Sequence, residues 1–182
     1  MPIAEFIYPL GKVEKGYNNR TLYINLTKNE IMNKPVTQYM RDIFIGGRGF
    51  NLWLLWNALP KDRIVKWDDP ENELCISSGP LGGTSIYPGS GKSIVVTISP
   101  LTDSVIDSNV GGYFGPYLKF AGWDAIEIQG KATSEVIIFI DGDEGRVGIE
   151  GAEGLPSETH LLAEILTEKY GKEDKRSISV VS

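Results

Sequence analysis

Gly89-Ser90-Gly91-Lys92-Ser93-Ile94-Val95-Val96-Thr97-Ile98 is the stretch on which the fold turns. A glycine turn closing on Gly-Lys-Ser invites a nucleotide phosphate loop and, with it, a parallel α/β sheet. That motif needs a glycine five residues before Gly91 and a helix beginning at the lysine, whose N-terminal amides cradle the phosphates. Position 86 is Ile86, and Lys92 is followed by β-branched residues, which favour a strand. What survives is a glycine turn that offers one lysine to an anion.

Further short, β-branched runs lie to either side of this strand, at residues 74–78, 125–129 and 136–140. Leu22, Ile24 and Leu26 alternate with Tyr23 and Asn25, the period of a half-buried strand, and residues 31–34 return after a turn. Asp141-Gly142-Asp143-Glu144-Gly145 forms a hairpin tip leading into Val147 and Ile149. Helical spacing runs over residues 37–45, stopped by Gly46-Gly47, and from Gly49 to Leu59, stopped by Pro60. In the second helix Phe50, Leu52, Trp53, Leu54, Leu55, Trp56 and Leu59 leave almost no polar face, which predicts burial all round. Ser157 is expected to open a last helix, with Leu161, Leu162, Ile165 and Leu166 on one face and Gly171 beyond its end. Residues 177–181 predict a final strand, and residues 1–19 an extended lead-in. Strands and helices do not alternate strictly, so the expected class is α+β, with mixed β-sheets and flanking helices.

Length and composition narrow the function classes. The 182 residues suffice for one well-buried domain, and 41% hydrophobic with 23% charged residues argues against disorder. A net charge of −6 argues against a basic nucleic-acid footprint. One cysteine, Cys75, and one histidine, His160, exclude a disulfide scaffold, a Cys/His zinc site and an iron–sulfur cluster held by this chain alone. The N-terminus has no basic region followed by an apolar run, and the longest apolar stretch is about half of the roughly 20 residues a bilayer requires. A cytoplasmic location without a membrane anchor is expected. Of the 21 glycines, fifteen fall between Gly79 and Gly154, so the unusual chemistry is concentrated there.

Gly46-Gly47-Arg48-Gly49 precedes a helix, where backbone amides and an arginine suit an anion; the glycines serve equally well for a tight turn. Ser108-Asn109-Val110-Gly111-Gly112-Tyr113-Phe114-Gly115 is not explained by packing alone. Paired glycines let backbone approach a ligand closely, and Asn109 offers carbonyl and amide groups. His160, in the first turn of the last helix, reads as a surface residue. Cys75, in an apolar strand, reads as a core thiol. Asp141, Asp143 and Glu150 only superficially resemble a calcium loop, because Gly145 occupies the fifth position rather than the sixth.

Taken in order, several of these segments resemble the N-terminal domain of the tungsten-containing aldehyde:ferredoxin oxidoreductase family. They are residues 20–27, Ile45-Gly46-Gly47-Arg48-Gly49-Phe50, residues 78–85, Ser99-Pro100-Leu101-Thr102, residues 109–115 and residues 118–126, followed by Gly130-Lys131-Ala132. The resemblance spans residues 20–182. It implies a base of two sheets with flanking helices on which a bis-pterin cofactor lies, a tungstopterin or molybdopterin, with magnesium bridging the phosphates. By the same resemblance, Lys92 falls at a basic residue against the pterin. Asn109 falls where a backbone carbonyl helps hold magnesium, and Gly111 at a neighbouring pterin contact. Gly112 and Arg48 complete the expected cofactor-binding set, and no residue of the chain is expected to be catalytic.

Two departures accompany the resemblance. The segment from Tyr87 to Lys92 is one residue longer than the family pattern, and the chain ends at Ser182 where family members continue. The domain is therefore expected to be truncated at its C-terminal end, and the 4Fe-4S cluster to belong to the missing part or to a larger Cys-rich partner chain. The implied reaction is oxidation of an aldehyde to a carboxylic acid, with electrons passing to ferredoxin and the isolated chain incompetent alone. Self-association through exposed strand and helix surfaces is the companion expectation. The alternative is a non-catalytic assembly or pterin-binding domain that retains only the fold.

Overall fold

The computed structural model describes residues 2–172 and 177–182. A hairpin of β2 (Arg20–Asn25) and β3 (Glu30–Pro35) opens the larger sheet, as the period-two alternation requires. Helices α1 (Gln38–Ile43) and α2 (Arg48–Ala58) follow. Next come β4 (Glu73–Ser77), β5 (Ser93–Ile98), β6 (Val105–Val110), α3 (Phe114–Phe120) and β7 (Ala125–Gln129). The six strands lie in the order β3-β2-β7-β4-β5-β6. β7 runs parallel to β2 and antiparallel to β4, so the sheet is mixed. β1 (Ala4–Ile7), β8 (Val136–Asp141) and β9 (Arg146–Gly151) form a separate three-stranded sheet, and α4 (Thr159–Tyr170) comes last.

The main core lies between the two sheets. Leu22, Ile24 and Ile126 of the larger sheet meet Val147 and Ile149 of the smaller, with Tyr8, Leu118 and Trp123 packed among them. The Arg20 guanidinium sits 5.0 Å from the Tyr8 ring centroid and 4.6 Å from that of Trp123. Tyr8 donates its hydroxyl to the carbonyl of Ala121 at 2.9 Å. These contacts tie the N-terminal strand to the turn after α3. The opposite face of the larger sheet is covered by α2, whose Leu55 packs with Cys75 and Val96, while Phe50 packs with Val36 and Met40. Cys75 is fully buried, the core thiol expected from its apolar strand.

Four elements differ from the sequence expectation. Helix α2 is not buried all round: Trp56 is 65% exposed and Leu52 41% exposed, because the sheet covers only one side of it. Residues 177–181 are not a strand; no strand among the described residues pairs with them. The lead-in contains β1, paired with β9 from Ala4 opposite Ile149 to Ile7 opposite Arg146. The last helix is capped by Glu158, whose carboxylate accepts from the amides of His160 and Leu161, one residue later than the expected Ser157. His160 is exposed as predicted. No helix among the described residues is long and apolar enough to cross a membrane.

Candidate functional site

Strand β6 and helix α3, neither of them foreseen from local periodicity, build the region around Asn109. β6 is the edge strand, paired with β5 so that Ile94 lies opposite Asn109 and Ser93 opposite Val110. Side chains alternate across a sheet, so Asp107 and Asn109 share the face of Ile94, the face that α2 covers. Lys92, one step before β5, continues that alternation. Its ammonium reaches Gly111: a Cβ built on Gly111 would stand 3.8 Å from Lys92 Nζ.

The glycines explain how two turns can lie against each other here. A Cβ on Gly91 would stand 2.5 Å from the carbonyl oxygen of Gly112, so the turn before β5 and the turn after β6 touch backbone to backbone. Gly112 has φ +77 and open space where a side chain would project. A ligand could therefore approach its backbone unobstructed. Lys92, Asn109, Gly111 and Gly112 are all exposed. Beneath them Ser93 Oγ is buried without a hydrogen-bond partner.

Arg48, at the start of α2, reaches the same strand on the face that α2 covers. Gly47 is the N-cap of α2, and it is pinned to the end of β4: its amide donates to Ser78 O at 3.2 Å, and Ser77 Oγ donates to its carbonyl at 2.8 Å. Asn51 Nδ2 donates to Ile94 O at 2.7 Å. So anchored, the first residue of the helix places Arg48 Nη2 2.6 Å from Asp107 Oδ2, two positions before Asn109 on the same face. The five residues singled out in the sequence thus gather around the β5–β6 end of one sheet. Asp107 was not among them. Its signal was its alternation with Asn109, legible only once residues 105–110 are known to be a strand.

Chemically, this surface offers the Lys92 ammonium, the Arg48–Asp107 ion pair, exposed backbone at Gly111 and Gly112, and room for a flat group against Gly112. That donor set suits an anionic cofactor with a phosphate tail and a planar ring. Among the described residues no group of three or more His, Cys, Asp or Glu could hold a metal ion by side chains, so any metal here would rest on backbone or cofactor oxygens.

The family described as "Aldehyde ferredoxin oxidoreductase, N-terminal domain" matches residues 21–182. A tungsten-containing aldehyde ferredoxin oxidoreductase from Pyrococcus abyssi is 42% identical over 125 residues, covering 69% of this chain and 20% of the relative. The WOR-like subunit of an aliphatic sulfonate oxidoreductase from Pyrococcus furiosus is 38% identical over 133 residues, covering 70% of this chain and 20% of the relative. Among solved structures, the active-site complex BamBC of benzoyl coenzyme A reductase, with bound 1,5-dienoyl-CoA, superposes with a TM-score of 0.77. There the identity is 32%, covering 85% of this chain and 23% of that one. The chain spans about a fifth of the length of these curated relatives.

Proposed function

This chain belongs to the aldehyde ferredoxin oxidoreductase N-terminal domain family, and from that premise we propose that its β5–β6 end cradles the pterin cofactor of a tungsten- or molybdenum-containing oxidoreductase. The observation that carries the proposal is the placement of the Lys92 ammonium over the Gly111 backbone, beside the open face of Gly112 and next to Asn109 on the paired strand.

In this reading Lys92 would neutralise a cofactor phosphate, and the backbone carbonyl of Asn109 would supply an oxygen to a magnesium ion, which prefers oxygen ligands. Gly111 and Gly112 let the planar ring lie against the backbone. Arg48, held by Asp107, fixes the strand that carries Asn109. The bound cofactor would supply two-electron redox chemistry at its metal, and this chain's contribution is binding and orientation. The larger, Cys-rich remainder of the oxidoreductase would hold the 4Fe-4S cluster and the second side of the bis-pterin site. It would carry electrons from an aldehyde, oxidised to a carboxylic acid, to ferredoxin in the cytoplasm.

The test is cofactor content. The assembly purified from its native cell with this chain as bait should contain tungsten or molybdenum and a fluorescent pterin derivative. Lys92→Met should lower both at least severalfold with little loss of thermal stability. Gly112→Val should lower both as well, with a strain cost of ~1–2 kcal/mol because its φ is positive. Equal metal and pterin content in wild type and Lys92→Met would refute the cradle. A chain that carries neither cofactor nor Cys-rich partner would be a module that keeps only the fold.

A further inference from the structure

A second polar site, floored by Glu127 of β7, lies two to three strands away from the Lys92–Asn109 surface, roughly 10–15 Å across the sheet at the usual strand spacing, and shares no residue with it. Where β3, β2 and β7 pass under α1 and the C-terminal half of α2, they leave a cavity of about 340 Å³, within the range of small-molecule sites. Its walls are apolar: Met40 from α1, with Trp53, Leu54 and Ala58 from α2. Its floor is charged. Glu127, its side chain 2% exposed, lies 2.6 Å from Lys34 Nζ and also accepts the Thr21 hydroxyl. Glu127 and Lys34 both line the cavity.

The charges on this floor do not balance once Glu73 is ionised. Glu127 faces Cys75 across the β4–β7 pairing, and Glu73, fully buried, stands two residues along on the same sheet face. One of its carboxylate oxygens has no partner. Above about pH 7, where Glu73 is ionised, two buried carboxylates face one lysine, and that lysine is the accessible member: its side chain is 39% exposed and its ammonium rests over the Tyr23 ring at 3.7 Å. A carboxylate can accept more than two hydrogen bonds, so Glu127 has acceptor capacity left toward the cavity. A cation entering there would be drawn by surplus negative charge, while its hydrocarbon body met Trp53, Met40 and Leu54. An anion would meet Glu127.

We propose that this cavity binds a compact organic cation, an ammonium or amidinium on an apolar body, with Glu127 as its counter-ion and Lys34 as the resident cation it displaces. The reading stands apart from the pterin proposal and does not depend on it.

Benzamidinium, benzyl alcohol and benzoate are the probes, titrated into the full chain at pH 8, where Glu73 is ionised, while the Trp53 indole resonance is followed by NMR. Benzamidinium should bind saturably at millimolar concentration and shift that resonance, at least tenfold tighter than either of the other two. Glu127→Gln should weaken it at least tenfold. Lys34→Met should tighten it severalfold, because the competing cation is gone. If Glu127→Gln fails to fold, Ala58→Phe decides with Lys34→Met: filling the cavity while leaving Glu127 in place should abolish the shift. Absence of binding up to tens of millimolar, equal affinity for benzyl alcohol, or a Lys34→Met variant that binds no more tightly would each overturn the proposal.

Discussion

Lys119 Nζ lies 2.7 Å from Asp124 Oδ1, and both side chains are almost wholly buried, at 4% and 1% exposure. The pair closes the loop between α3 and β7 on the N-terminal segment. Asp124 also accepts the backbone amides of Asn18 and Asn19, at 2.8–3.1 Å, and Lys119 donates to Gly16 O at 2.9 Å. So anchored, the pair fixes where residues 16–19 enter the sheet, which sets the register of β2.

Removing one partner leaves a buried charge without its counter-ion, which costs about 3–5 kcal/mol. Lys119→Met should therefore lower the urea unfolding midpoint sharply. The double variant Lys119→Met with Asp124→Leu should lose less than the sum of the two single changes. Additive losses in this double-mutant cycle would show that the two groups do not interact as described.

Glu73 makes stability depend on pH in a particular direction. Burial, and secondarily the neighbouring Glu127, raises its carboxyl from 4.5 to about 7, against the weaker opposing influences of the Cys75 thiol and Lys34. The folded state therefore prefers the protonated acid. The favourable contribution is whole below about pH 4.5 and is lost as pH rises to about 7, after which the loss levels off. The full swing is on the order of 3 kcal/mol. Glu73→Gln should match wild type near pH 5, exceed it in stability at pH 8, and flatten the pH profile between. A variant with an unchanged slope across pH 5–7 would assign the dependence to another group.

Self-association should run through the outer side of α2. Leu52 and Trp56, four residues apart and therefore stacked on one helix face, are 41% and 65% exposed, with Ile45 nearby in sequence at 76%. Exposed apolar area of this kind favours a protein partner. Light scattering on the isolated chain should show concentration-dependent association, and Leu52→Ser with Trp56→Ser should abolish it without unfolding the domain. A dilution-resistant monomer, or association untouched by the double change, would place the contact elsewhere.

The β2–β3 hairpin, the strand after Lys92, the β8–β9 turn and the thiol of Cys75 were legible in the chain itself. In each case the decisive signal is local: alternation, β-branching or a turn sequence within about ten residues. The family likeness was legible too, because it rests on ordered short motifs rather than on contacts. Tertiary structure alone decided the rest. β6 has no inward-facing apolar alternation, because an edge strand exposed on both faces can be polar; the sequence Asp107-Ser108-Asn109 reads as loop until β5 pairs with it. Helix α2 looked fully apolar, and only the position of the sheet shows which side is covered. Arg48 meets Asp107 across 59 residues and Lys34 meets Glu127 across 93. Periodicity carries no information about pairings at such separations, since they are set by the order in which strands assemble into the sheet. The candidate cofactor surface and the Glu127 cavity both consist of such pairings: the chain supplies the residue types, and the fold decides which of them meet.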